Sequence, residues 1–313
     1  MRILVVGAGA VGGYFGARLA AAGRDVTFLV RERRAAQLRK IGLVLKSSSG
    51  DLTIPPADLK LISAQELAAS KSTFDLILLA TKAYALDTAM DDFAPAVGAD
   101  TAILPLLNGM RHLDMLSQRF GSEHVLGGST RIVGDVDPEG RVLHIENWQD
   151  LVFGERDKRV TPRIEAIAKT LHDAGFQDQL SPDIIAFMWQ KWVLLASMAG
   201  ITCLLRGNIG EIARAPFGVE TQRAFLAECA AIASASGHPT AEKPYAAVTA
   251  RLTDPESVLT ASMYRDLQKN SPVEADHILG DLLRRGSALG IHSPLLQAAY
   301  VQLSVYMAGK RAL

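Results

Sequence analysis

The chain begins with a glycine pattern at the point where a short apolar strand would turn into a helix. This pattern, G-x-G-x-x-G, reads Gly7-Ala8-Gly9-Ala10-Val11-Gly12. It follows the strand-like run at residues 2–6 and opens a helical pattern rich in small residues. In such a turn the first glycine allows a tight bend, the second lets a pyrophosphate approach the backbone, and the third lets the helix pack on its strand. The anion meets N–H groups at the start of the helix, which have no partner within it. The pattern therefore predicts a βαβ unit that binds a dinucleotide at residues 7–12.

The first half of the chain alternates short apolar runs with helical patterns. Apolar runs at residues 25–30, 75–80 and 101–106 have the character of buried strands, and a helical pattern covers residues 84–93. Continuous apolar strands that alternate with helices are typical of a doubly wound parallel sheet. We therefore predict a Rossmann-type sheet.

Shorter segments within this half have a different pattern. Residues 43–54 predict a small inserted hairpin, and residues 125–153 predict antiparallel strands separated at residues 137–140 and again at residues 148–150. Residues 161–174 return to a helical pattern.

The second half of the chain loses its strand signals after about residue 179. Helical periodicity covers residues 182–205, 217–236, 255–269, 273–290 and 294–307. Since 313 residues exceed one typical domain, we predict two domains. The α/β Rossmann-type domain would span residues 1–178, and a wholly helical substrate and catalytic domain would span residues 179–313.

Charge and cysteine content exclude several function classes. Lysine and arginine total 33 and aspartate and glutamate total 33, so the chain has no net charge suited to nucleic acid or an anionic membrane. The uncharged run 192–205 is too short to span a bilayer, and the glycines near the start argue against a signal peptide. Two cysteines favour a cytoplasmic location, and the seven histidines lack the spacing of a metal site.

The end of the second strand indicates which dinucleotide is bound. Residues 30–34 read Val30-Arg31-Glu32-Arg33-Arg34. An arginine at this place suits the 2′-phosphate of NADP, whereas an acid suits the ribose hydroxyl of NAD. We predict NADP(H), with Arg31 as a phosphate ligand and Arg33 and Arg34 adding charge. Glu32 leaves the alternative open, since it could bind the ribose or simply begin the next helix.

Two further strand ends carry polar side chains. Lys82 follows the strand at residues 75–80, and Asn108 follows the strand at residues 101–106. Because ligands collect at the carboxyl ends of parallel strands, we predict that both contact the cofactor and that Asn108 also reaches the substrate.

Several spaced motifs together resemble the ketopantoate reductase family, and the resemblance covers essentially the whole chain. They are the glycine pattern, Arg31, Ala80-Thr81-Lys82-Ala83, Asn108-Gly109-Met110, Trp189-Gln190-Lys191, Ser262-Met263-Tyr264-Arg265-Asp266, Glu274-Ala275-Asp276 and Gly290-Ile291-His292-Ser293-Pro294. The family reduces 2-dehydropantoate to pantoate with NADPH. The resemblance implies a Rossmann domain followed by a helical domain, with a 2-oxo acid substrate in the cleft between them.

The resemblance also implies a catalytic group. Hydride reduction of a ketone leaves negative charge on oxygen, so the site needs a proton donor or a cation. Lys191 is the only charged residue between Asp183 and Arg206, and family members use the lysine at this position as general acid. The family pattern places Glu274 in the same site, where we expect it to be catalytic and to contact the cofactor, and it makes Ser262 a substrate-binding residue.

This chain departs from the family pattern beside the predicted lysine. The family helix carries asparagines four and eight residues after it, where this chain has Leu195 and Ala199; Leu259 also replaces an asparagine of some members. These changes keep alternatives open: a paralogue that reduces a more apolar 2-oxo acid, a related hydroxy-acid or sugar-phosphate dehydrogenase, or a non-catalytic NADP-binding sensor. The apolar faces of residues 217–236 and 294–307 fit either the core or a homodimer interface.

Overall fold

The computed structural model describes residues 1–311, and their contacts divide the chain into two compact units. The first unit contains Met1–Leu107 and His112–Ile185, and the second contains Asn108–Arg111 together with the chain from Ala186 onward. The short segment Asn108–Arg111 thus interrupts the first unit in sequence and belongs to the second unit by its contacts.

The first unit contains the strands of the chain. In order they are β1 (Arg2–Val6), β2 (Asp25–Leu29), β3 (Leu43–Ser47), β4 (Leu52–Ile54), β5 (Lys60–Ile62), β6 (Leu76–Leu79), β7 (Ala102–Pro105), β8 (Gly127–Val136), β9 (Val142–Gly154) and β10 (Gln177–Leu180). Five of them form a sheet in the order β5-β2-β1-β6-β7, with every neighbouring pair parallel. The predicted α/β class and parallel sheet are confirmed.

Six helices lie between the strands of this part of the chain, and the central strands of the parallel sheet are buried. They are α1 (Ala10–Ala21), α2 (Glu32–Ile41), α3 (Ala64–Ser70), α4 (Leu86–Phe93), α5 (Arg111–Phe120) and α6 (Pro162–Leu171). Ile3, Val5, Leu78 and Leu104 have no exposed surface and share one core with Phe28. This burial explains the continuous apolar runs, because both faces of a central parallel strand are covered.

A second sheet contains the inserted hairpin and the antiparallel strands. Its order is β10-β9-β3-β4, and β8 also pairs with β9. The hairpin β3–β4 and the pair β8–β9 are antiparallel, as expected from the sequence. The expected break at residues 148–150 is wrong, because β9 continues through them and only its register with β8 shifts, between Ile132 and Gly134. Asp150 pairs with Arg131 at 2.6 Å beyond that irregularity.

The predicted domain boundary falls within a strand of this sheet. Residue 178 lies in β10, which pairs in parallel with β9, whereas the first compact unit ends at Ile185. The segment QDQL is too polar to be recognised as a strand from its pattern, since its side chains are exposed or only half-buried.

The second unit is helical. Its helices are α7 (Ile184–Leu205), α8 (Ile209–Arg214), α9 (Gly218–Ala235), α10 (Glu242–Leu252), α11 (Ser262–Gln268), α12 (Asp281–Ala288) and α13 (Pro294–Arg311), with a π-helical turn, Asp276–Gly280, directly before α12. The predicted all-helical class is confirmed, but residues 255–261 are not helical as expected. There the backbone carbonyl groups of Ser257 and Leu259 accept hydrogen bonds from the start of α8 instead.

The helix α7 is long and apolar enough to cross a membrane by length and composition alone. It has 22 residues, and an 18-residue stretch of it has a mean hydropathy of 1.5 and is 56% buried inside the fold. A mostly buried helix in the core of a helical unit has the same properties, so this finding is weak support for a membrane span.

Candidate cofactor and catalytic sites

The glycine-rich turn joins β1 to α1 and has the geometry that the pattern predicts. Gly7 has a φ of +92°, in the left-handed region that favours glycine. A Cβ on Gly12 would lie 2.0 Å from the Gly7 carbonyl oxygen and 2.9 Å from Ala80 Cβ, so only glycine fits there. A Cβ on Gly9 would meet nothing within 4 Å. The turn is therefore closely packed at Gly7 and Gly12 and open at Gly9.

This open side has the chemistry of an anion site. Gly9 is the N-cap of α1 and supplies no side-chain cap, so the first N–H groups of the helix have no capping partner. Thr81 lies beside the turn, and its Cγ2 would be 3.4 Å from a Cβ added to Gly7. The Thr81 hydroxyl is buried and has no hydrogen-bond partner within residues 1–311. Open N–H groups and an unpartnered hydroxyl fit the pyrophosphate and ribose groups of a dinucleotide.

The basic residues after β2 differ in what they contact. Arg31 is the exposed N-cap of α2, and Arg33 is exposed in the first turn of that helix. Glu32 pairs with Arg39 at 3.0 Å on the surface of the same helix. Glu32 therefore has a helical ion-pair partner, which weakens the interpretation that it binds a ribose.

Arg34 points toward the glycine-rich turn rather than toward solvent. Its Nε donates to the Ala8 carbonyl oxygen at 2.8 Å, and its Nη1 donates to the Gly140 carbonyl oxygen at 2.7 Å. Burial lowers the pKa of Arg34 below its ordinary value, and the nearby Asp137 charge offsets part of this effect. The sequence predicts Arg34 only as added charge beside Arg31, and nothing in the sequence indicates its bond to Ala8.

Lys82 and Asn108 follow strands β6 and β7, as expected, but belong to different units. Lys82 is exposed and precedes a short 3₁₀ turn, Ala83–Ala85. Asn108 belongs by its contacts to the helical unit. The side-chain oxygen of Asn108 accepts a hydrogen bond from Lys191 Nζ at 3.1 Å.

This hydrogen bond connects two residues that are 83 positions apart in the chain. Lys191 lies on α7, where its half-buried side chain is surrounded along the helix by apolar residues. The sequence predicted each of the two residues as functional but not their contact, since no spacing rule relates a strand end to a distant helix.

The segment Asn108–Arg111 is held against the π-helical turn by two further contacts. Gly109 has a φ of +81°, and a Cβ there would lie 3.0 Å from the His277 carbonyl oxygen. Arg111 forms an ion pair with Asp276, which also accepts hydrogen bonds from Arg284 at 2.9 Å and from Tyr300 at 2.8 Å. These contacts fix the loop that presents the Asn108 side chain to Lys191.

The charges around Asp276 determine its protonation. Burial alone would raise the pKa of Asp276, but hydrogen bonds from Arg284 and Tyr300 and the charges of Arg284 and Arg111 bring it below its ordinary value. The carboxylate is thus ionised at neutral pH and pairs with both arginines.

The remaining predicted site residues lie at the ends of helices. Ser262 is the first residue of α11 and half-buried, and no hydrogen bond within residues 1–311 engages its side chain. Glu274 is half-buried two residues before the π-helical turn.

Leu195 and Ala199 follow Lys191 at helical spacing; Leu195 is half-buried and Ala199 has no exposed surface. This face of α7 is apolar after Lys191.

Two other kinds of chemistry find little support. No group of three or more histidine, cysteine, aspartate or glutamate side chains within residues 1–311 could hold a metal ion. Both cysteines are free, and burial raises the pKa of Cys203 and of Cys229 to about 12. Thiols with such pKa values are poor nucleophiles at neutral pH.

Comparison with known families gives matches over both units. Residues 3–158 match a family described as ketopantoate reductase PanE/ApbA, and residues 183–307 match its C-terminal counterpart. An uncharacterized oxidoreductase, YkpB of Bacillus subtilis, is 35% identical over 99% of this chain and 100% of its own length. The 2-dehydropantoate 2-reductase of Archaeoglobus fulgidus is 28% identical over 93% of this chain and 92% of its own.

Solved structures with the same fold cover nearly the whole chain. The 2-dehydropantoate 2-reductase of Geobacter metallireducens is 29% identical, with a TM-score of 0.86, over 97% of this chain and 99% of that one. A D-mandelate dehydrogenase has a TM-score of 0.86 at 22% identity, over 99% of both chains, and therefore shares the fold.

Proposed function

This chain belongs to the ketopantoate reductase family, and we propose that it reduces a 2-oxo acid to a 2-hydroxy acid with NADPH, using Lys191 as general acid. The observation that carries the proposal is the hydrogen bond of Lys191 Nζ to Asn108 Oδ1 at 3.1 Å. An ammonium group among apolar residues costs free energy unless it is paired, and such groups cluster at functional sites.

The chemistry requires a proton for the substrate oxygen. Bound NADPH supplies the hydride that reduces the carbonyl carbon. As negative charge develops on the carbonyl oxygen, Lys191 Nζ stabilises it and donates the proton that forms the hydroxyl group. Asn108 Oδ1 accepts a hydrogen bond from the Lys191 ammonium group and thereby directs the lysine side chain. We assign Ser262 and Glu274 to binding the polar groups of the substrate and the cofactor.

The cofactor would be held by the first unit at residues 7–12 and 81–82. The open N–H groups at the start of α1 would bind the pyrophosphate, and the Thr81 hydroxyl would donate a hydrogen bond to an oxygen of the cofactor. Arg31 contacts the 2′-phosphate, which favours NADPH over NADH. Glu32, the acid that would suit NADH instead, pairs with Arg39 at 3.0 Å on the surface of the helix.

The substrate could differ from 2-dehydropantoate. Leu195 and Ala199 replace polar residues of the family on the helix face that carries Lys191. Each polar group of the substrate that is left without a hydrogen bond would weaken binding by about 1–3 kcal/mol. The D-mandelate dehydrogenase of the same fold was solved with NADH and anilino(oxo)acetate. We therefore propose a paralogue that prefers a 2-oxo acid with a more apolar side chain as the second candidate.

Initial rates with a graded series of 2-oxo acids, including ketopantoate, would test this function with NADPH and with NADH. We expect a clear preference for NADPH and a fall in kcat of about 10²–10⁴-fold in Lys191→Ala, because a positioned proton donor contributes that much. NADPH binding should change little, since Lys191 lies in the helical unit.

Leu195→Asn distinguishes the two substrate candidates. If the apolar face selects the substrate, this variant gains activity toward ketopantoate and loses it toward the preferred acid. Wild-type rates on ketopantoate that exceed those on every other acid would reject the second candidate. NADPH binding without reduction of any acid would instead indicate the sensor, and equal rates with NADH would remove the role of Arg31.

Three other expectations remain predictions. The assignment of the first unit to the cofactor and of the second to the substrate follows from the proposed roles. A cytoplasmic location agrees with two free, buried cysteines. The ketopantoate reductase of Staphylococcus aureus, 19% identical with a TM-score of 0.79, is described as dimeric, and a homodimer of this chain stays a prediction.

A further inference from the structure

Arg34 makes contacts that a simple phosphate ligand would not need. Its Nε and Nη1 atoms donate to the Ala8 and Gly140 carbonyl oxygens at 2.8 and 2.7 Å, and Nη1 also reaches Gln37 Oε1 at 3.3 Å. The Nη2 atom is buried from solvent. The guanidinium therefore joins the start of α2 to the glycine-rich turn and to the turn between β8 and β9.

The turn between β8 and β9 is shaped to receive this side chain. Gly140 has a φ of +89°, and a Cβ there would lie 3.0 Å from Arg34 Nη1. Asp137 closes the turn, because it accepts hydrogen bonds from the Arg141 backbone at 2.8 Å and from Arg141 Nε at 2.6 Å. The Gly140 carbonyl oxygen is thus a fixed acceptor for Arg34.

The bond to Ala8 has a direct consequence for the neighbouring peptide group. The Ala8 carbonyl and the Gly9 N–H belong to one planar trans peptide, in which the two bonds point in opposite directions. A carbonyl held by Arg34 therefore aims the Gly9 N–H to the opposite side. Gly9 is also the position where a side chain would meet open space, as an approaching ligand requires.

We propose that Arg34 is a positioning residue for dinucleotide binding, which acts through the Ala8–Gly9 peptide and not through contact with the 2′-phosphate. This inference rests on the proposed function, since it assumes that the turn binds NADPH. It assigns the two neighbouring arginines different roles: Arg31 reads the phosphate that distinguishes NADPH from NADH, whereas Arg34 orients the turn that binds the pyrophosphate common to both.

Equilibrium titration of the full chain with NADPH and with NADH separates these roles, with calorimetry as the readout. Arg34→Met should raise the Kd of both cofactors by the same factor, about tenfold for the loss of charged hydrogen bonds. Arg31→Met should raise the Kd of NADPH only. In Arg34→Met, kcat at saturating cofactor should stay near the wild-type value while KM for the cofactor rises.

Two further variants complete the experiment. Lys40→Met, on the exposed last turn of the same helix, should leave both Kd values unchanged. Arg34→Lys should recover part of the affinity for both cofactors, because one ammonium can reach one of the two carbonyl groups. If Arg34→Met does not fold, Arg34→Lys decides, and a weakened binding of both cofactors supports the proposal.

The contrary results are distinct. A Kd that rises for NADPH alone would make Arg34 a phosphate ligand, and unchanged Kd values for both cofactors would remove its positioning role. A wild-type protein that binds neither cofactor would overturn the proposed function and this inference with it.

Discussion

Single residues of the glycine-rich turn have separable tasks. Gly12 is needed because a Cβ would collide with the Gly7 carbonyl group, and a backbone atom cannot move aside cheaply. Gly9 has no such neighbour within residues 1–311 and an ordinary φ of −80°. The motif predicts ligand approach at Gly9 and close helix packing at Gly12, and the space around each glycine agrees with these different roles.

Alanine at these two positions should therefore affect different properties, the stability of the fold at Gly12 and the affinity for NADPH at Gly9. Gly12→Ala should destabilise the protein by about 1–3 kcal/mol, as expected for overpacking in a closely packed site. Gly9→Ala should leave the free energy of unfolding nearly unchanged but weaken NADPH binding, because its methyl group occupies the open side of the turn. Denaturant unfolding and cofactor titration measure the two quantities. A Gly9→Ala protein that binds NADPH like wild type would contradict the assignment.

At the scale of elements, the sequence predicted those whose pattern reflects burial. Strands β1, β2, β6 and β7 and helices α7, α9 and α13 follow from apolar runs and periodicity, because burial on one or both faces selects those residues. The edge strand β5 has exposed or half-buried side chains and was not predicted. The polar strand β10 and the irregular segment 255–261 were missed, since their backbone hydrogen bonds do not depend on the side-chain pattern.

The candidate site was predicted residue by residue but not as an arrangement. Motif positions identified Lys191 and Asn108, yet their contact depends on the segment Asn108–Arg111 packing with the helical unit. The π-helical turn beside that segment has no signature in the sequence. Such turns often occur at functional sites, and here the turn supplies the carbonyl of Ile278, which accepts a hydrogen bond from Trp192 Nε1 at 2.9 Å.

This bond between α7 and the π-helical turn gives a prediction about Trp192. Trp192→Phe would remove the N–H group that donates to the Ile278 carbonyl oxygen, in addition to reducing the ring volume. Trp189→Phe is the matched control, since Trp189 is also buried but donates no such hydrogen bond within residues 1–311. We expect the first variant to lose about 0.5–1.5 kcal/mol more than the second, the net contribution of one hydrogen bond.

Denaturant unfolding, followed by a signal from the helical unit, measures this difference. The hydrogen bond from Trp192 should also keep the π-helical turn, and with it the segment that carries Asn108, in the native position. Trp192→Phe should therefore lower kcat more than Trp189→Phe. Equal losses in both variants would show that ring volume, not the hydrogen bond, determines the effect.

At the scale of the whole molecule, the zero net charge says nothing of how the individual charged side chains are paired. Positive and negative side chains balance in number, yet they are organised into pairs such as Arg163 with Glu155 at 2.7 Å and the arginines around Asp276. The exposed pairs at Asp276 contribute little to stability singly, whereas the Glu155 carboxylate is buried beside Arg163. The group whose protonation should affect the folding equilibrium most clearly near neutral pH is the buried His277.

The stability of the chain should therefore decrease between neutral and mildly acidic pH. Burial lowers the pKa of His277 to about 4, and the charges of Arg111 and Arg284 contribute to this more than Asp276 opposes it. In the unfolded chain the pKa of histidine is about 6.5. Between these values the unfolded state binds a proton that the folded state excludes, so stability falls as pH decreases from about 6.5 to about 4, by at most roughly 3 kcal/mol.

Asp276 affects stability in a different pH range from His277, so the two contributions can be measured separately. Its pKa is lowered, so its contribution is present above the unfolded value of about 3.9 and is lost only as pH falls through the lower folded value. Unfolding free energies at pH 7, 6, 5 and 4.5 for wild type and His277→Asn isolate the histidine, because every other group is common to both proteins. The variant should show the smaller decrease in stability with falling pH, and parallel curves would mean that His277 is already protonated, or not buried, in the folded chain.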